Sequence, residues 1–64
     1  MLKIHEQLAA LREERGYSLR ELAEKTGVNY PNISRIERGE TSPSVSTLEK
    51  LLDGLGAHIE IVKR

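Results

Sequence analysis

Between positions 29 and 38, polar side chains of unlike chemistry follow one another on what reads as a single helix: Tyr30, Asn32, Ser34 and Arg35. An asparagine amide can pair with an adenine edge through two hydrogen bonds, and an arginine with a guanine edge. Each good match is worth about 1–3 kcal/mol of discrimination. Tyr30 can donate to a phosphate or lie against a thymine methyl group. Ile33 and Ile36, three apart, take the inward side and leave Asn32 and Arg35 outward. Solvated helices carry outward polar residues too, so the spacing alone leaves base reading and plain solvation level.

Other chemistry finds no constellation. His5 and His58 stand apart, with no second histidine, cysteine or carboxylate pair at ligand spacing. Ser42, Ser44 and Ser46 belong to a loop and a helix cap with no adjacent base, and there is no glycine-rich phosphate loop. The absence of cysteine excludes a disulfide and a thiolate metal site, and it fits a reducing cytosol. No enzyme activity, cofactor or metal is expected.

The elements that would position Asn32 and Arg35 can be read from caps and periodicity. Ser18 and Glu21 fit a capping box, with Tyr17 and Leu22 at the positions of a hydrophobic staple. Leu19, Leu22 and Ala23 mark one buried face of a helix over 19–26, which Gly27 ends in a left-handed conformation. Asn29 caps the next helix, over 30–38, where Pro31 in the first turn costs little. Ala23, Gly27 and Ile33 allow two helices to cross closely at a steep angle, as in a helix-turn-helix.

Before this pair, Ile4, Leu8 and Leu11 keep helical spacing over 1–14, with Gly16 closing and Arg15 suiting the dipole. After it, the loop Glu40-Thr41-Ser42-Pro43 leads to a fourth helix capped by Ser44 or by Ser46. Val45, Leu48, Leu51, Leu52 and Leu55 give that helix an apolar stripe ending near Gly56. From Ala57 the period changes. Ala57, Ile59 and Ile61 alternate with His58 and Glu60, which reads as a short β-strand. A lone strand leaves its backbone groups unpaired, so pairing with the same strand of a second copy is the economical solution and a frayed tail the alternative.

Sixty-four residues make one domain at most, with a core of Leu, Ile, Val and Ala, because Trp and Phe are absent. Ten basic residues balance ten acidic ones, five of each sign in 1–27 and five of each in 28–64. Nucleic-acid binders commonly carry a basic excess. A zero sum does not exclude a basic face, but it predicts weak non-specific binding. No apolar run reaches membrane-spanning length and no signal-peptide pattern opens the chain, so a cytoplasmic protein is expected.

The segments LREERGYSLRELAEKTGV and ISRIERGETSPSVSTLEKLLDGLG resemble, closely and over most of the chain, the Cro/C1-type helix-turn-helix family of phage repressors and bacterial regulators. The resemblance implies an all-α, four-helix, lambda-repressor-like domain over 1–56, followed by a strand tail over 57–64 for dimerisation. It implies a repressor that binds double-stranded DNA as a homodimer, reading two half-sites about 34 Å apart through helix 30–38. Base contacts would come from Tyr30, Asn32, Ser34 and Arg35. Phosphate contacts would come from Ser18, Arg20, Asn29, Arg38, Thr41 and Ser42. Pro31 departs from the polar residue some relatives carry, trading a base contact for van der Waals contact. Arg12 and Glu37, each four residues after a core position, would form the family's structural ion pair. The run STLEKLLDGLG followed by AHIEIV is also similar to antitoxins that partner a kinase-type toxin of the HipA type. That similarity implies a toxin protein as a further partner.

Overall fold

The computed structural model describes residues 3–59. It contains four helices: α1 (Ile4–Glu14), α2 (Leu19–Thr26), α3 (Tyr30–Glu37) and α4 (Val45–Gly54). Helix α2 packs on both α3 and α4, while α1 packs on α3. The core they enclose is Leu8, Leu22, Val28, Ile33, Ile36, Leu51 and Leu55, with Leu11, Tyr17, Leu19, Ala23, Leu48 and Leu52 packed around it. Every helix contributes one or two of these buried residues, or closes on one, so no helix is dispensable to the apolar interior.

Local chemistry sets the ends. The Ser18 N–H donates to Glu21 Oε1 at 2.9 Å and the Glu21 N–H donates back to Ser18 Oγ at 3.0 Å, which completes the capping box. Gly27, at φ 76°, turns the chain left-handed where a side chain would be strained, and its N–H closes on Ala23 O. At the end of α1 the Gly16 N–H bonds Glu13 O and the Tyr17 N–H bonds Arg12 O. The same pair of bonds closes α3 through Gly39 and Glu40, and α4 through Gly56 and Ala57.

Three boundaries differ from the sequence reading, and one choice it left open is decided. Helix α1 starts at Ile4 after an extended Lys3, and not at position 1. Arg38 is the C-cap of α3 and not its last residue. Ser44 wins the contest to cap α4, because its Oγ accepts from the Thr47 N–H at 3.1 Å. Helix α4 stops at Gly54, two residues early, with Leu55 closing it.

The apolar pattern also overreached. Val45 is 66% exposed and Ile4 is 50% exposed, each at the first residue of its helix. Residues 57–59 have no strand. Of the three residues expected in a dimer strand, Ala57 and Ile59 lie there, and Ile61 lies outside the described residues.

Candidate nucleic-acid interface

The site is built outward from the α2–α3 crossing. Ile33 and Ile36 are 1% exposed and pin one side of α3 to the core. With about 100° between successive residues, Pro31, Arg35 and Arg38 fall on the opposite side. All three are exposed. Tyr30, at the start of α3, is 39% exposed, while Asn32 and Ser34 are half-buried at the flanks. Asn29 caps α3: its Oδ1 accepts from the Asn32 N–H at 3.3 Å, so the side chain is partly committed before any ligand arrives.

The residues expected at phosphates surround this helix. Ser18 and Arg20 are exposed in the first turn of α2, and Thr41 and Ser42 are exposed in the loop after α3. Ser18 Oγ is an acceptor in the capping box, which leaves its hydroxyl hydrogen free to donate. Arg38 is drawn to Glu40, with Nε 3.1 Å from Oε2 on an exposed surface, so its charge is half-answered by the protein. Arg20 lies over the ring of Tyr30, its guanidinium carbon 5.1 Å from the ring centre. Hence the structure brings two of the expected contact residues together directly, across the turn from α2 to α3.

Arg12 and Glu37 hold α1 to α3 behind that surface. Arg12 Nε donates to Glu37 Oε2 at 2.8 Å and Nη2 donates to Oε1 at 2.9 Å, a bidentate pair whose side chains are 14% and 11% exposed. Nη1 donates to Tyr17 O at 2.8 Å, so the same guanidinium also fixes the entry to α2. The Glu37 hydrogen bond raises the Arg12 pKa above its ordinary value, against the opposing effect of burial. Glu21 titrates below the usual glutamate range because Ser18, chiefly through its backbone N–H, bonds the ionised carboxylate.

Further side-chain links were also not foreseen from sequence. Arg15 Nε donates to Leu55 O at 3.0 Å, tying the end of α1 to the end of α4. Thr26 Oγ1 donates to Leu22 O at 2.7 Å and accepts from the Val28 N–H at 3.2 Å, stitching α2 to its turn. Lys25 lies 5.2 Å from the centre of the Tyr17 ring. A threonine just before a helix-ending glycine hints at the second link, whereas the others depend on tertiary placement.

Among the described residues no group of three or more His, Asp or Glu side chains is placed to hold a metal. No helix there is long and apolar enough to cross a membrane.

A helix-turn-helix family model matches residues 8–62. The chain belongs to the Cro/C1-type helix-turn-helix family. Similar members include the HTH-type transcriptional regulator SutR of Escherichia coli, 52% identical over 48 residues, covering 75% of this chain and 27% of SutR. SinR of Bacillus subtilis is 49% identical over 49 residues, covering 75% of this chain and 44% of SinR. The chain therefore spans less than half the length of these two relatives. A structure of SinR, the master regulator for biofilm formation, in complex with DNA superposes at a TM-score of 0.82 and 43% identity, over 86% of this chain and 89% of that one. A toxin–antitoxin module from Streptococcus pneumoniae superposes at 0.79 and 34% identity, over 95% of this chain and 72% of that one.

Proposed function

We propose that this chain is a sequence-specific DNA reader of a transcriptional repressor, acting as a homodimer on a palindromic operator. The observation that carries the reading is the two-sidedness of α3. Ile33 and Ile36 lock its inner side, so a rigid, capped helix offers Tyr30, Asn32, Ser34 and Arg35 to a groove. In this reading the N-terminal part of α3 enters the major groove, Asn32 pairs with adenine and Arg35 with guanine. Ser18, Arg20, Asn29, Arg38, Thr41 and Ser42 set the register on phosphates. The likeness to SinR bound to DNA supports it.

With a formal net charge of zero, one module gains little from phosphate neutralisation, so two-fold pairing supplies the affinity. Selection of bound duplexes from a random pool tests the proposal. The expected result is a palindrome whose half-site centres are about 34 Å apart. Asn32→Ala and Arg35→Ala should each erase the preference at one base pair per half-site. A pool that stays random after repeated selection overturns the reading.

A second role is supported by the likeness to the toxin–antitoxin module. Here the same chain is an antitoxin, silencing a partner toxin of the kinase type while it represses. Co-expression with the product of an adjacent gene tests it: a complex that survives Asn32→Ala and Arg35→Ala supports the double role, and no complex removes it.

A further inference from the structure

We infer that Arg20 and Tyr30 form one reading element, in which Arg20 is a positioning residue that holds the Tyr30 ring for a base pair. This deepens the DNA-reading proposal and rests on it, and it replaces the phosphate role given there to Arg20 with one at the Tyr30 ring. Arg20 is the second residue of α2 and Tyr30 the first of α3, so their contact spans the turn that sets the angle between the two helices. Among the described residues, neither side chain makes a hydrogen bond or ion pair. The ring contact is what each has. Three of the other arginines are engaged elsewhere, Arg12 by Glu37, Arg15 by Leu55 O and Arg38 by Glu40, whereas among the described residues Arg35 is not.

The chemistry of the pair suits selection better than simple attachment. A guanidinium laid on a ring keeps its N–H donors in its own plane, pointing past the ring edge, which an ammonium does not do. Arg20 lies over the ring, and Tyr30 stays 39% exposed. Tyrosine has only two side-chain torsions, and a neighbour that restrains them removes freedom that binding would otherwise have to remove. A restrained ring meets one base step and clashes with others. A swinging ring tolerates them all. Pro31 follows Tyr30 and carries no donor or acceptor on its side chain, so the Arg20–Tyr30 pair is the main polar feature of the first α3 turn beside Asn32.

The test is duplex selection and salt-dependent binding with the full chain, on wild type, Arg20→Ala, Arg20→Lys, Tyr30→Ala, Tyr30→Phe and the double alanine variant. Both positions are exposed, and circular dichroism checks that every variant keeps its helices. Arg20→Ala and Tyr30→Ala should each weaken binding to the selected site by about tenfold and erase the preference at the same base pair. The double variant should lose no more than about threefold beyond either single one, as expected for coupled neighbours. Arg20→Lys should fail to restore the preference, while Tyr30→Phe keeps it. The inference is overturned by the phosphate pattern: Arg20→Ala weakens all sequences alike, lowers the salt slope by about one, and leaves the Tyr30 base preference intact. Wild-type protein that enriches no sequence overturns the DNA-reading proposal itself, and this inference with it.

Discussion

Arg12 grips Glu37 side-on, with two nearly parallel N–H···O bonds of 2.8 and 2.9 Å, while its third nitrogen holds the Tyr17 carbonyl. One side chain thus fixes α1, the entry to α2 and the end of α3. Such a pair is weak evidence for net stability against an apolar substitute, but removing one partner strands the other charge. Arg12→Ala should destabilise the domain by about 3 kcal/mol in urea unfolding. Arg12→Lys should recover little, because a point charge cannot fork across the carboxylate and still reach Tyr17. Loss below about 1 kcal/mol for Arg12→Ala would show that the pair is solvated in solution.

Acid should loosen the start of α2. The carboxylate of Glu21 titrates lower in the folded chain than in the unfolded one, because Ser18 bonds its ionised form. Its contribution is therefore complete above the unfolded glutamate pKa and is lost as pH falls through the lower, folded value. Thermal melts of wild type and Glu21→Gln, taken from pH 7 downward, should differ most near neutrality and converge in acid. Parallel curves across that range would remove the effect.

Gly54 is needed for close packing, and the reason is a single methyl group. A Cβ at position 54 would collide with Thr26 Cγ2, where α4 passes α2. Gly54→Ala gains roughly 1 kcal/mol of helix propensity but meets an overpacking cost of about 1–3 kcal/mol. The balance should be a destabilised protein. Thr26→Ser deletes the offending methyl group and keeps the hydroxyl that links Leu22 to Val28. Adding it to Gly54→Ala should restore most of the lost stability in denaturant titration; failure to do so places the clash elsewhere.

Dimerisation has a direct measurement. Solution mass is compared for the full chain and for a version ending at Gly56. A dimer that becomes a monomer on truncation assigns the interface to the tail that holds Ala57, Ile59 and Ile61. Two dimers would move the interface to the helices.

What the sequence revealed depended on how local the cause was. Helix α2 was legible to the residue because its capping box and Gly27 lie within the same ten positions. The inward turn of Ile33 and Ile36 followed from spacing three apart. The Arg12–Glu37 pair was legible only through family resemblance, since 25 residues separate the partners. Val45 shows the opposite failure. It fits the apolar stripe of α4, yet the stripe says nothing about how far the neighbouring helices cover it, and Val45 is 66% exposed. The Arg15–Leu55 and Arg20–Tyr30 contacts were hidden for a related reason: exposed arginines follow no period, and their partners are chosen by the angle at which helices cross.

The Arg38–Glu40 pair beside α3 bears on time as well as strength. A reader whose own carboxylate already answers a cation beside its reading helix releases few counterions on arbitrary duplex, so each wrong encounter is brief. On the proposed DNA-reading function, such a chain would travel by repeated short visits through solution rather than by long one-dimensional excursions along the helix. It would give up electrostatic capture speed, and in return stray DNA would sequester few of its copies.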